Sequence, residues 1–290
     1  KSNFSSEVST LKKHWAFIDT GFQDASWNMA FDECLINWHH EGKIPPTLRF
    51  YGWKAPSLSV GYFQKVDNKI DFDAIERHSC QFVRRLTGGS AVLHDDELTY
   101  SLVISENDPD IPVSVQEAYH VLSKGVFEGY HNLGIPAEYA ILDRDSARGR
   151  TAICFEKPAF YEMVADGKKL SGNAQTRKKG VLMQHGSIPM SMNTEMLFDL
   201  FLFSSGRIRE RSRAAFSKKA VTINQLTNRE HHYDMLTQAF KEGFKKGLDL
   251  ELHPLQLTET QWEEVQQLAH SKYETRAWNI NSNKERASIG

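Results

Sequence analysis

A chain of 290 residues, 40% hydrophobic and 25% charged, has enough apolar material for one large domain or two modest ones without disulfide or metal staples. Its formal charge of -2 argues against a dedicated nucleic-acid or membrane-surface protein. No apolar run approaches the roughly 20 residues needed to span a bilayer, and the polar stretch Lys1–Lys13 lacks the apolar core of a signal peptide, so a cytoplasmic setting is expected.

In chain order, the first expected helix runs over 26–40, with Met29, Leu35, Ile36 and Trp38 as its apolar positions, Ser26 as its cap, and Gly42 and Pro45-Pro46 after it. A β-rich stretch follows: 48–53, 58–63, 82–85, 91–93 and 98–105. In the last of these Leu98, Tyr100, Leu102 and Ile104 alternate with Thr99 and Ser101, the pattern of a strand with one buried face. Val115, Tyr119, Leu122, Val126 and Tyr130 predict a helix over 114–132. Asp166-Gly167 is a type I′ turn signal between strands 160–165 and 168–171, and its register would pair Ala165 with Lys168 and Val164 with Lys169. A strand over 181–188 precedes helices near 194–203, 230–247 and 259–272, with Gly243 and Gly247 as weak points in the second. The alternation implies an α+β fold, a mixed sheet flanked by helices. A tail (1–13), one catalytic domain (14–279) with a helical C-terminal portion, and a second tail (280–290) are expected.

Four segments are candidates for chemistry. In Arg84-Arg85-Leu86-Thr87-Gly88-Gly89-Ser90-Ala91-Val92-Leu93-His94 two glycines permit positive φ and close backbone approach to a ligand. A plain hairpin turn is the bland alternative, and the segment fits neither a P-loop nor a dinucleotide fingerprint. Lys168 and Lys169 must point to opposite faces of their strand, so one of them enters the interior, where an amine is costly unless paired or functional. Cys154 is either a small buried residue or a nucleophile; a nucleophilic cysteine needs a nearby cation, and Lys169, fifteen residues on and folded back by the hairpin, has the spacing to supply one. Arg207, Arg209, Arg211 and Arg213 form a basic run suited either to solvent or to an acidic protein.

The remaining clusters argue against a metal. Cys34, Cys80 and Cys154 form no C-x-x-C pair. Adjacent histidines, His39-His40 and His231-His232, cannot face one ion from a helix and are expected at the surface, as is the run Asp95-Asp96-Glu97.

Together these segments resemble the lipoate-protein ligase, octanoyltransferase and biotin-protein ligase superfamily. The resemblance is carried by Asn28-Met29-Ala30-Phe31-Asp32-Glu33, RRLTGGSAVLH with Leu98-Thr99-Tyr100-Ser101, GKKLSGNAQ, Gln184-His185-Gly186-Ser187, and Lys272-Tyr273 with Trp278-Asn279. Arg49 to Trp53, Ser57 to Gln64, the Cys154-Phe155 pair and Ala174 to Arg177 are similar to the Firmicute-type octanoyl-carrier-protein:protein octanoyltransferases. The resemblance implies a biotin/lipoate protein ligase-like fold, related to class II aminoacyl-tRNA synthetases. It implies that Cys154 carries an acyl thioester and that Lys169 contacts the acyl carbonyl. Arg84, Arg85, Thr87, Gly88, Gly89, His94, Ser171, Gly172 and Ala174 would then contact substrate, the acyl chain beside Gly88 and Gly89.

The implied donor is an acyl carrier protein and the implied acceptor a lysine of a lipoyl domain or glycine-cleavage H protein, with no cofactor; a monomer is expected because the sequence shows no exposed heptad or long apolar stripe. The alternative is an ATP- and Mg-dependent lipoate-protein ligase acting through lipoyl-adenylate. That reading is weakened by Cys154 and by the shortness of the segment 280–290 after Asn279, since such ligases commonly need an accessory C-terminal domain. An amidotransferase between lipoyl proteins and a non-catalytic acyl-protein binding module complete the alternatives. Ser90-Ala91 and Asp95-Asp96-Glu97 depart from the pattern of many relatives, which bears on substrate choice and phosphate contacts.

Overall fold

The computed structural model describes residues 12–140 and 162–281. Its centre is a six-stranded mixed sheet built from β1 (Lys13–Gln23), β2 (Thr47–Trp53), β6 (Glu97–Ser105), β10 (Gly172–Lys178), β11 (Val181–Pro189) and β12 (Leu250–Pro254), in the order β10-β11-β6-β2-β1-β12. The β2/β6, β6/β11 and β11/β10 pairs are antiparallel, whereas β1 runs parallel to both β2 and β12. A smaller sheet sets β3 (Ser57–Val60) between β4 (Gln81–Arg84) and β5 (Val92–His94). A third joins β7 (Glu138–Tyr139), β8 (Met163–Ala165) and β9 (Lys168–Lys169).

Helices cover both faces of the large sheet. On one side α3 (Val115–Asn132) and α7 (Tyr233–Gly247) pack on Phe50, Tyr100, Leu102 and Leu182. On the other, α1 (Ala25–His40) and α8 (Glu259–Leu268), continued by a π turn over Ala269–Tyr273, pack on Tyr51, Val103 and Met183. The other helices among the described residues are α2 (Phe72–Arg77), α4 (Thr194–Asp199), α5 (Gly206–Ser217), α6 (Ile223–Thr227) and α9 (Arg276–Asn279). No helix among the described residues is long and apolar enough to cross a membrane.

Burial on both sheet faces changes the meaning of the β6 pattern. Leu98, Tyr100, Leu102 and Ile104 enter the α3/α7 core as expected, but Glu97, Thr99 and Ser101 are buried too, on the face toward α1. Alternation here separates an apolar core from a polar interior, not core from solvent.

The two glycines expected to weaken α7 instead let it approach α3. A Cβ on Gly243 would stand 2.4 Å from the Gly129 amide nitrogen, while Phe240 and Phe244 lie against Gly129 and Gly125. Three helix boundaries also move. The first starts one residue early on Asp24, and Gln81 Oε1 accepts from the Ala25 amide (2.6 Å), a role expected of Ser26. The helix expected over 194–203 ends at Asp199, and that expected from 230 starts at Tyr233. His231 is therefore outside the helix and buried, bonded to Asn224 Oδ1, which corrects its expected surface position.

Candidate active site

The hairpin forms in the expected register, Val164 opposite Lys169 and Ala165 opposite Lys168, around Asp166 and Gly167, both at positive φ. Of the two lysines it is Lys169 that turns inward and Lys168 that remains partly exposed. The Lys169 ammonium donates to Glu162 Oε1 at 2.5 Å, both side chains being buried. Burying an ammonium is tolerable only with such a partner. The backbone of Lys169 is clamped as well, its N–H donating to Lys219 O (2.8 Å) and its carbonyl accepting from Val221 N–H (3.0 Å). Cys154 lies outside the described residues.

The Gly88-Gly89 segment is not a hairpin. β4 and β5 pair with opposite edges of β3, so the chain from Leu86 to Ala91 crosses the end of that strand. The crossing is tight: Gly89 has φ +97°, and a Cβ on Gly61 would stand 2.0 Å from the Gly89 carbonyl oxygen. The two arginines divide their tasks. Arg84 donates to the carbonyls of Gly61 (2.8 Å), Gln64 (2.7 Å) and Asn279 (2.9 Å), tying the loop to α9. Arg85 turns to the other side and holds the loop itself, donating to Gly88 O (2.9 Å), Ser90 O (2.8 Å) and Ser59 Oγ (3.0 Å).

Between this loop and the polar face of the large sheet lies a cleft open to solvent on one side. Its walls include Met29, Tyr51, Trp53 and Val92; Arg85, Gly89, His94, Gly172 and Ala174 also line it. Arg84, Thr87, Gly88, Lys169 and Ser171 do not line the cleft; Lys169 stands three residues before Gly172.

Two histidine–carboxylate pairs frame the cleft. His185 Nδ1 faces Asp32 Oδ2 (3.1 Å), and its Nε2 lies 2.6 Å from Thr87 Oγ1. A carboxylate only accepts, so Nδ1 carries the hydrogen and Nε2 accepts from the Thr87 hydroxyl. Burial holds the His185 imidazole below its usual pKa, which keeps it neutral and suits this arrangement. Burial alone would raise the Asp32 carboxyl, but the His185 hydrogen bond, the Arg49 charge and the Ser101 hydroxyl outweigh it and hold the group below its usual range. In the second pair His94 Nδ1 meets Glu97 Oε1 (2.8 Å) and Nε2 meets Ser59 Oγ (2.7 Å), with the ring stacked on Trp53 at 4.1 Å. Glu97 also accepts from Ser187 (2.6 Å) and Thr99. The acidic run expected to be solvated thus holds a buried hub: Asp96 is exposed, Glu97 is not. Each imidazole thus bridges a carboxylate and a hydroxyl, His185 linking Asp32 to Thr87 of the glycine loop and His94 linking Glu97 to Ser59 on β3.

The sheet register assembles these groups. Arg49, Ser101, His185 and Ala174 form one cross-strand row, and Tyr51, Thr99, Ser187 and Gly172 the next. Asp32, Glu97 and Glu162 were not among the expected site residues. Glu162 had a signal, since it precedes Val164 by two and so shares the face of Lys169.

The sequence between residues 24 and 245 matches the family described as the lipoyl protein ligase A/B catalytic domain. The chain belongs to this family. Among curated relatives in the family, octanoyltransferase LipM of Oceanobacillus iheyensis is 55% identical over 263 residues, covering 91% of this chain and 96% of that one. Octanoyltransferase LipM of Bacillus cereus is 50% identical, covering 92% and 98%. A solved structure described as a bi-partite lipoate protein ligase from Thermoplasma acidophilum superimposes with a TM-score of 0.76 at 22% identity, covering 92% of this chain and 96% of that one. The family fold, a mixed sheet flanked by helices, is the one expected from the resemblance.

Proposed function

We propose that this protein is an octanoyltransferase of lipoate biosynthesis that moves an eight-carbon acyl group from acyl carrier protein, through a thioester on Cys154, to a lysine of a lipoyl domain or glycine-cleavage H protein. The observation that carries the reading is the identity of 55% to an octanoyltransferase LipM across nearly the whole of both chains. The cleft agrees with it, since Met29, Tyr51, Trp53 and Val92 offer apolar contact to an alkyl chain and Gly89 and Gly172 leave room for it.

The donor thioester is already activated, so the chemistry needs no ATP and no cofactor. The Cys154 thiolate attacks the donor carbonyl, and the carrier's thiolate leaves and takes a proton. The acceptor lysine, as free amine, then attacks the Cys154 thioester; an amide forms, the thiolate is regenerated and the amine's proton is released. The Lys169 ammonium, held by Glu162, polarises the carbonyl during both attacks. Arg85 and Thr87 hold the glycine loop against the chain, His94 lines the cleft beside it, and Ser171, Gly172 and Ala174 lead from Lys169 into the cleft.

The basic run on α5 suits the protein partners. Arg209 and Arg213 are engaged by Asp199 and Glu210, but Arg207, Arg211 and Lys218, four and seven residues apart and so on one side of the helix, have no ion pair among the described residues. This stripe leads to Lys219, whose carbonyl holds the Lys169 amide, and it would meet an acidic surface on the carrier or acceptor.

The test mixes the protein with octanoyl-acyl carrier protein and an apo lipoyl domain, without ATP, and weighs the products. An octanoylated lipoyl domain is expected. A requirement for ATP and free acid would make the protein a ligase, a requirement for an acylated lipoyl-protein donor an amidotransferase, and affinity without turnover a binding module; each would overturn the proposal.

A further inference from the structure

His14 on β1 and Glu251 and His253 on β12 lie on the solvent-facing edge of the large sheet, remote from the cleft and unused by the acyl chemistry. The parallel register pairs His14 with Glu251 and Ala16 with His253, so the three side chains share one face of two adjacent strands. His14 Nδ1 lies 2.8 Å from His253 Nε2, and 3.7 Å from Glu251 Oε2. Ligand atoms of all three fall within 4.8 Å of one another. The backbone beneath them is fixed, because Trp15 and Leu250, between and beside these residues, are buried in the α3/α7 core.

We infer that His14, Glu251 and His253 form a binding site for a late first-row divalent cation, zinc being the representative ion. Two imidazole nitrogens at 2.8 Å stand lone pair to lone pair unless one proton lies between them. An ion held at about 2.0–2.1 Å from each nitrogen would take the proton's place, with the nitrogens roughly 3.3 Å apart in tetrahedral geometry. That opening of about half an ångström needs only side-chain rotation of exposed residues. The Glu251 carboxylate oxygen, 3.7 Å from His14 Nδ1, would close in with them and supply a third ligand and a negative charge. The fourth position faces solvent and takes water, the pattern of a three-ligand zinc site with an open position. Two imidazoles select zinc, nickel or copper over magnesium and calcium, which prefer all-oxygen shells. Since the ligands come from an edge strand and its neighbour, the bound ion would fasten β12 to β1 and stabilise the folded chain by mass action.

The experiment is calorimetric titration of tag-free, chelator-treated protein with zinc chloride, repeated on His14→Ala, His253→Ala and Glu251→Gln. The wild type is expected to bind one equivalent that each histidine variant loses or binds at least tenfold more weakly, with a smaller loss for Glu251→Gln. Zinc should also raise the melting temperature of the wild type and not that of His14→Ala or His253→Ala, a comparison internal to each protein; magnesium chloride should raise neither. No zinc binding by the wild type, unchanged binding in the histidine variants, or an equal response to magnesium would overturn the site.

Discussion

Replacing Asp32 by Asn removes one charge from the middle of the buried network while preserving its size. Asp32 accepts from Arg49 (2.9 Å), Ser101 (2.7 Å), His185 (3.1 Å) and Tyr51 (3.2 Å). Breaking a buried ion pair by removing one partner costs about 3–5 kcal/mol, because the remaining charge is uncompensated. Arg49 keeps Asn28 O (3.0 Å), Asn28 Oδ1 (2.6 Å) and the face of Tyr51 (3.9 Å), which argues for the lower end of that range. The new amide NH₂ cannot accept from His185 Nδ1, so the imidazole must lose a hydrogen bond or change tautomer, and a changed tautomer can no longer accept from Thr87. Asp32→Asn should therefore lower stability by about 3 kcal/mol, read from urea denaturation at neutral pH, and loosen the glycine loop. Because the folded carboxyl is held below its usual range, its contribution is present above the unfolded value of about 4 and is lost as pH falls through the folded value, so wild type and variant should converge in acid. A loss under about 1 kcal/mol at neutral pH, or no convergence in acid, would be incompatible with a charged Asp32 at the centre of the network.

Two further outcomes test the packing and the docking surface. Gly243→Ala gains about 1 kcal/mol of helix propensity but drives a Cβ to 2.4 Å from the Gly129 nitrogen and 2.6 Å from the Gly125 oxygen. Overpacking against a backbone costs about 1–3 kcal/mol or more, so calorimetry should show a lower melting temperature; a raised one would contradict the close approach of α3 and α7. Arg207→Glu with Arg211→Glu should raise KM for octanoyl-acyl carrier protein or the lipoyl domain several-fold and flatten the salt dependence of KM, with kcat nearly unchanged; unaltered KM for both proteins would detach the α5 stripe from partner binding.

Much of the fold was legible where local chemistry decides it. Asp166-Gly167 fixed a hairpin register that survives intact because a two-residue turn leaves no freedom to slip. The periodic apolar positions of α3 were equally readable. β12 was not, since a five-residue edge strand containing proline carries little pattern, and α5 was read as a charge run because a helix with one buried residue, Phe216, has almost no apolar stripe. The polar half of the site failed for a different reason: Thr99 and Ser101 show the same alternation whether their face meets water or a buried network. Only the long-range placement of α1 and the β3–β5 sheet decides between them. His14 and His253 illustrate the limit, their nitrogens in contact across 239 residues of chain.

The proposed transfer depends above all on the thioester at Cys154, and the direct measurement is the mass of the peptide containing it after brief incubation with octanoyl-acyl carrier protein alone. A hydroxylamine-sensitive octanoyl adduct on Cys154, which disappears when apo lipoyl domain is added as the domain gains the same group, is the predicted result. Full transfer activity in a Cys154→Ser variant, or an adduct that forms only with ATP and free octanoate, would contradict it.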